Sequence, residues 1–370
     1  MNELGVVLLS VAAFGVGAAM VIATTLSAVQ TLVVPRAAPM VLTRWVFRGI
    51  RVLFNIRTKR ATNWEARDRA MSLYAPLSLL SLAVAWLVII GASYVLMFLA
   101  LGVRPLRQAF VISGSSLFTL GFAVPQDLPT TALAFSEATF GIGTMALLIS
   151  YLPSIYASFS RREAAVGALD VRAGSPPAAA MLLVRYTRIN GLDRLEEFWL
   201  TWEGWFTDIE ETHTSIPAIV FFRSPDPQRS WVTAAGTVLD SASPTASTLE
   251  APNPVEAQLC IRAGYIALRK IAGFFGIPHH PDAHWPDQPI SILKSEFEEV
   301  YEQLKEEGVP VKPDREQAWR DFAGWRVNYD AVLLALAALT VAPPARWSSD
   351  RSLVYPALAP LTRRRKRTWL

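Results

Sequence analysis

The hydrophobic pattern of the chain is dominated by four long stretches with almost no charged side chain. Residues 4–35 and 70–103 carry none, and residues 138–160 form a third uncharged stretch directly after Glu137. A helix of about 20 apolar residues crosses the roughly 30 Å of hydrocarbon in a bilayer, so each of these three stretches predicts a transmembrane helix. The fourth, residues 108–126, is rich in Ser, Gly and Thr, which is poor composition for a helix that faces lipid.

Basic residues are concentrated in two segments that border the apolar stretches. Residues 35–70 contain nine Lys and Arg but only two acids, and Arg161 and Arg162 directly follow the third stretch. The positive-inside rule therefore predicts that residues 35–70 and everything after about residue 160 are cytoplasmic, with the N-terminus and residues 103–128 outside. If residues 108–126 crossed the membrane, the two basic segments would lie on opposite sides, so this segment predicts a re-entrant helix and loop. The nine basic residues are Arg36, Arg44, Arg48, Arg51, Arg57, Lys59, Arg60, Arg67 and Arg69.

Composition excludes several classes of protein. Charged residues make up 18% of the chain, against about 25% in soluble domains, and 12 Trp, 18 Phe and 9 Tyr are too much apolar surface for a disordered chain. The lone Cys260 excludes a disulfide framework and suits a reducing compartment. A net charge of +4 is too small to indicate a nucleic-acid partner. No basic residue precedes the first apolar stretch, so we expect a retained helix and not a signal peptide.

The fourth apolar stretch contains a string with a known counterpart. Residues 115–123, Ser-Ser-Leu-Phe-Thr-Leu-Gly-Phe-Ala, resemble the end of the pore helix and the selectivity filter of potassium channels, whose filter reads Thr-Val-Gly-Tyr-Gly. The run from Glu137 to Pro153 is similar to the inner helix of that family, and the longer string through Pro177 resembles a group of bacterial membrane proteins described as potassium-channel-like. The filter positions in this chain are Thr119, Leu120, Gly121, Phe122 and Ala123.

The resemblance implies an oligomer and an ion. A filter of this kind is a ring of backbone carbonyls that replace the hydration shell of the ion, and each chain supplies one loop, so the implied assembly is a homotetramer. The implied ligand is a monovalent cation, potassium in the family, and the helical region after the inner helix would be a cytosolic gating domain. The alternative is a non-conducting membrane sensor or scaffold derived from a pore-loop protein.

Three positions depart from the filter pattern of the family. Ala123 replaces a glycine, and a left-handed backbone there would cost about 1–2 kcal/mol, so the backbone is expected to settle elsewhere and to leave fewer aligned carbonyls. We therefore expect weak discrimination between potassium and sodium, which Ala123→Gly would sharpen. Phe122 lacks the hydroxyl of the usual tyrosine, and Val124 stands where an acid usually follows the filter.

Other residues of the predicted pore region are candidates for supporting the filter. An intramembrane carboxylate is costly, so Glu137 is expected either to hydrogen-bond the back of the loop through Ser115 or Ser116, or to lie among the outer headgroups. Gly141 and Gly143 are either a hinge in the inner helix or small residues at a close helix contact.

The C-terminal half predicts a soluble helical domain. Trp199, Trp202 and Trp205 recur at helical spacing and indicate a core-facing stripe. Residues 217–223 are read as a short apolar and extended run, residues 243–254 as a linker, and residues 331–342 as the buried end of a last helix that opens with a capping pattern at Asp314. The other predicted helices are residues 178–186, 192–213, 228–241, 255–275 and 291–307.

No motif in the sequence indicates an enzyme, and we expect no catalytic residue, no metal and no cofactor. The alternative of a membrane-anchored enzyme rests on His213 beside Glu210 and Glu211, or on the string at residues 279–284, which has ligand residue types without a helical face to align them. The tail at residues 363–367 is five consecutive cations that either bind an anionic leaflet or stay in solvent.

The sequence as a whole predicts an all-α, multi-pass protein of the inner cell membrane. It has three transmembrane helices, a re-entrant pore helix and loop, and an α-helical cytosolic C-terminal domain. The predicted regions are a membrane helix at residues 1–34, a basic cytosolic segment at 35–70, a pore domain at 71–160 with its loop at 104–125, a helical domain at 161–345, and a basic tail at 346–370.

Overall fold

The fold is all-α throughout the part of the chain that the structure describes. The computed structural model describes residues 3–34, 41–58, 63–250 and 254–351. Every regular element in these ranges is a helix, beside one isolated bridge between Leu249 and Val311. The all-α prediction is confirmed, whereas Arg36, Lys59, Arg60 and residues 352–370 of the basic tail lie outside the described residues.

Thirteen α-helices and two 3-10 helices follow one another in the described ranges. The α-helices are α1 (Glu3–Leu32), α2 (Val41–Thr58), α3 (Trp64–Ser72), α4 (Tyr74–Ala100), α5 (Leu106–Leu117), α6 (Leu128–Ala173), α7 (Ala179–Arg188), α8 (Leu195–Ser215), α9 (Trp231–Ser247), α10 (Val255–Phe274), α11 (Lys294–Glu306), α12 (Arg315–Arg326) and α13 (Asp330–Thr340). The 3-10 helices are Leu192–Arg194 and Pro217–Phe221.

Three helical segments of the described chain are long and apolar enough to cross a membrane. They are Glu3–Leu32, Trp64–Ala100 and Leu128–Ala173, and their mean hydropathy lies between 1.6 and 2.5. They correspond to the three uncharged stretches, so the prediction of three helices of this kind is confirmed. At 12 residues α5 is about 18 Å long, which is too short to cross.

The chain divides into two compact units. The first comprises residues 1–50 and 76–156, and the second comprises residues 51–75 and 157–370. The core of the first unit draws on α1, α4, α5 and α6 through a cluster of apolar side chains. This cluster includes Val21, Ile90, Tyr94, Phe98, Ala109, Ile112, Leu117 and Leu133.

The second unit is built around α9. All but one of the 17 residues of this helix are buried. The apolar stripe on α8, with Trp199, Trp202 and Trp205, is buried as well, which confirms its assignment to the core. The α13 helix is also buried along most of its length, as expected for an apolar helix too short to span.

Three details of this unit differ from the sequence prediction. Residues 217–221 form a 3-10 helix and not an extended run. The α9 helix continues through Pro244 into the predicted linker and ends at Ser247; its hydroxyl groups bond to carbonyls one turn back, as between Thr245 and Ser241, and its burial offsets the cost of the proline. The single last helix is two helices, α12 and α13, which are separated at residues 327–329.

Residues 51–75 are bound into the second unit by polar contacts. Asp68 on α3 forms an ion pair with Arg223, and both side chains are about nine-tenths buried. The other guanidinium nitrogens of Arg223 donate to the carbonyls of Thr340 and Val341 at the end of α13, at 2.8 and 3.0 Å. Trp64 donates its indole N–H to the carbonyl of Pro227 at 2.9 Å.

A buried ionic cluster surrounds the break between α12 and α13. Arg326 is fully buried and pairs with Asp240 on α9 and with Asp330 on α13. The remaining guanidinium nitrogen of Arg326, Nη2, donates to the carbonyl of Trp347 at 2.5 Å. The hydroxyl of Tyr329 donates to Asp240 at 2.9 Å. Burial disfavours the charged form, but the two carboxylates outweigh burial and raise the pKa of Arg326, which therefore stays charged.

Removal of this guanidinium group tests the importance of the cluster. We expect Arg326→Gln to lower the free energy of unfolding of the helical unit by about 3–5 kcal/mol, because two buried carboxylates lose their cation. Arg320→Gln on the same helix is the control: Arg320 is exposed, and its ion pair with Glu316 is screened by solvent, so only a small loss is expected. Urea unfolding of the full chain in detergent, followed by tryptophan fluorescence, measures both. Equal losses in the two variants would contradict the assignment.

Candidate functional site

The candidate site is the turn that follows α5, and it begins with a helix cap. The N–H of Thr119 donates to the carbonyl of Ser116 at 3.0 Å, and the N–H of Leu120 donates to the carbonyl of Ser115 at 2.8 Å. This pair of bonds is a Schellman motif, which requires a left-handed residue after the helix end, usually a glycine. Here that residue is Thr119, with φ of 54°. A β-branched residue in this region is strained, which is a feature of functional sites.

The rest of the predicted filter follows in an open turn. Gly121 has φ of 74°, so the chain contains two left-handed positions within three residues. Thr119, Leu120, Gly121 and Phe122 are exposed, while Ala123 is half-buried against the core of the first unit.

Ala123 does not adopt the left-handed conformation that a glycine at this place in the family pattern would adopt. It is not among the left-handed residues, and its N–H donates to the side-chain hydroxyl of Ser115 at 3.1 Å. The backbone with alanine therefore lies outside the left-handed region, as expected. The chain has already reversed at Thr119 and Gly121, and the hydrogen bond to Ser115 holds Ala123 in an ordinary backbone conformation.

Glu137 lies behind the turn and meets a serine that links three helices. It is fully buried, which disagrees with the alternative of a side chain among lipid headgroups. The hydroxyl of Ser113 on α5 lies 2.5 Å from Oε1 of Glu137 on α6 and 3.2 Å from the carbonyl of Gly91 on α4. The Glu137 side chain is therefore joined to α5 through Ser113.

Ser115 and Ser116 were the expected partners of Glu137, and neither is bonded to it. Ser115 instead holds the Ala123 N–H, and Ser116 is only half-buried. Sequence reasoning missed Ser113 although a signal existed: Ala109, Ser113 and Leu117 are spaced by four residues and share the buried face of α5.

Gly141 and Gly143 have different surroundings. A β-carbon built on Gly141 would collide with the carbonyl group of Leu117, the last residue of α5. Nothing lies within 4 Å of a β-carbon built on Gly143, which is exposed. Gly141 thus permits a close contact of α5 with α6, the packing alternative, and α6 is an uninterrupted helix at both glycines.

The histidines of the second unit form no comparable site. His213 is completely buried: burial, reinforced by the positive charge of Arg162, holds the pKa of His213 well below its usual value. An N–H of Arg162 lies 3.3 Å from its Nε2 atom. His284 pairs with Asp282 at the surface at 3.0 Å. Among the described residues, no three His, Cys, Asp or Glu side chains are grouped so that they could hold a metal.

Comparisons with known proteins add no relative to this picture. No protein-family model matches the chain, and no curated protein and no solved structure matches it significantly.

The two glycines of α6 make a matched pair of variants. We expect Gly141→Ala to destabilise the protein by about 1–3 kcal/mol, because the new methyl group meets the carbonyl of Leu117 and overpacks the contact of α5 with α6. Gly143→Ala meets nothing, and since alanine favours helix by up to about 1 kcal/mol it is expected to be neutral or stabilising. Melting of the helical circular-dichroism signal in detergent measures both. A stable Gly141→Ala protein would show that the helices are not in close contact.

Proposed function

We propose that the chain is one subunit of a homotetrameric, potassium-channel-like cation channel, in which residues 119–123 line the ion path. The observation that carries the proposal is the arrangement around α5. A helix too short to cross a membrane lies between two helices that are long and apolar enough to do so, and it ends in an open turn with two left-handed residues. Buried polar side chains hold this turn from behind.

The chemistry of the turn favours a cation. The C-terminal end of a helix carries about half a negative charge, and α5 directs this end to the turn. Asp127 is the only acid between residues 104 and 136. Ligands for an ion would therefore be the backbone carbonyls of the turn and the hydroxyl of Thr119, which suit a weakly held monovalent ion.

The surface of the turn supports assembly into a tetramer. Phe118, Leu120, Phe122 and Val124 are all exposed, and Val124 retains 77% of its surface. One loop cannot surround an ion, and four copies around an axis would both close the ring and cover apolar surface of this turn.

Orientation and gating follow from the same proposal. The nine basic residues at 35–70 favour a cytoplasmic position for that segment and for the C-terminal domain, with the N-terminus outside. The α6 helix extends to Ala173, and within the second unit its Arg162 donates to the carbonyls of Ile219 and Phe222 at 2.9 and 2.7 Å. These hydrogen bonds attach the end of the inner helix to the helical domain, which supports a gating role for that domain.

A non-conducting sensor that retains the pore loop is the second candidate. The observation in its favour is the hydrogen bond from the Ala123 N–H to the Ser115 hydroxyl, which fixes the backbone at the position of the second glycine in the family pattern. With the backbone fixed in this way, the carbonyl groups of residues 119–123 would not all face one ion path.

A matched pair of glycine variants separates the two candidates. We expect Gly121→Ala to abolish potassium current in planar bilayers while tetramers persist, because a β-carbon at a left-handed position costs about 1–2 kcal/mol in each subunit and displaces the neighbouring carbonyls. Gly102→Ala is the control: Gly102 is also left-handed, with φ of 91°, but lies before α5. Absence of current in the unmodified tetramer, or equal current in Gly121→Ala and the unmodified protein, would refute conduction through this turn.

The support of Ala123 predicts a selectivity effect at Ser115. Ser115→Ala removes the acceptor of the Ala123 N–H, a loss of about 0.5–1.5 kcal/mol, and is expected to change the potassium-to-sodium permeability ratio by up to about tenfold. Ser116→Ala leaves the backbone bond from Thr119 in place and should not change the ratio. Ala123→Gly should have little effect as well, since Ala123 is not strained. Reversal potentials measured under bi-ionic conditions give this permeability ratio. A large change of the ratio in Ala123→Gly alone would instead support the expectation that glycine at this position sharpens selectivity.

A further inference from the structure

The α2 helix exposes one continuous apolar face. Its exposed large side chains are Val41, Trp45, Val52, Leu53 and Ile56, and Trp45 and Leu53 retain 67% and 62% of their surface. At 100° per residue these positions fall within one third of the helix circumference. The buried residues, Thr43 and Phe47, lie on the opposite side. We name the exposed face the apolar stripe.

Positive charge borders the apolar stripe. The helix contains four arginines and no acid. Arg44 and Arg48 lie along one edge of the stripe and Arg57 along the other, whereas Arg51 turns inward and donates to the carbonyl of Leu339 at 3.1 Å. The Nε atom of Arg48 is itself buried and has no hydrogen-bond partner among the described residues. A second copy of this face would bring like charges together, so the charges oppose self-association through the stripe.

The first turn of α2 contacts the last turn of α1. The hydroxyl of Thr43 lies 3.1 Å from the hydroxyl of Thr31, and α1 ends one residue later, at Leu32. Because α1 is long and apolar enough to cross a membrane, its last turn would lie at or just beyond the boundary of the hydrocarbon. The first turn of α2 would then lie in the same interfacial region.

We propose that α2 is an interfacial helix that lies in the plane of a membrane leaflet containing anionic lipids. The apolar stripe enters the boundary of the acyl chains, and Arg44 and Arg48 bind lipid phosphates. A helix with an apolar face, a cationic edge and low overall hydrophobicity takes this position and not a spanning one. The proposal does not depend on ion conduction.

A spin label on the stripe tests the proposal in the full-length protein. Val52→Cys carries the label, and Leu200→Cys, at an exposed apolar position on α8, is the control; the native Cys260 is buried and leaves the labels distinct. The proteins are reconstituted in vesicles of phosphatidylcholine alone or mixed with phosphatidylglycerol. In the mixed vesicles we expect the Val52 label to be relaxed by oxygen and protected from a water-soluble nickel complex. The Leu200 label should show the reverse.

The arginines are tested on the same background. In the mixed vesicles, Arg44→Gln and Arg48→Gln should each reduce about fivefold the ratio of Val52 labels that are immersed in the membrane to labels that are exposed to water. In phosphatidylcholine alone, the two variants should have little effect. The same arginine variants are also labelled at Leu200→Cys, and an unchanged signal from that label shows that they are folded. A Val52 label open to nickel in both lipids would overturn the proposal. A label protected from both oxygen and nickel would overturn it too, because another protein chain would then cover the stripe.

Discussion

The hydrogen bond between Glu137 and Ser113 is the contact on which the candidate site depends. The α5 helix is too short to cross a membrane, and it packs among longer helices of the first unit. The Ser113 hydroxyl joins α5 to α4 and α6 at one point, and Gly141 lets α6 approach the last carbonyl of α5. The turn at residues 119–123 can be open on one side because α5 is held on the other.

The second unit uses arginine for a similar purpose. Arg162, Arg223 and Arg326 are each almost fully buried, and each donates to backbone carbonyls where a helix ends or the chain is irregular. A guanidinium group offers five N–H donors in a plane, so a single side chain satisfies several carbonyls that no helix partner can reach. The helical domain therefore contains short, closely packed helices without leaving these carbonyl groups unpaired.

Sequence patterns predicted the elements well where local chemistry decides them. The three long apolar helices followed from length and charge alone, and Asp314 caps α12 by accepting the N–H of Gln317, as its pattern indicated. The failures lie where distant residues decide. Nothing local to Pro244 shows that α9 is central to a core, and the break between α12 and α13 surrounds Arg326, whose partner Asp240 lies far away in sequence. The contact of Ser113 with Glu137 likewise depended on which helix faces meet.

The pair between Asp68 and Arg223 has a consequence for how the protein is made. Residues 51–75 leave the ribosome long before residues 157–370, yet both belong to one compact unit. A fragment that starts after α6 would lack Asp68 and Trp64 and would leave Arg223 buried without its carboxylate. The helical domain is thus discontinuous in sequence, and during synthesis Asp68 has no partner until Arg223 has been added to the chain.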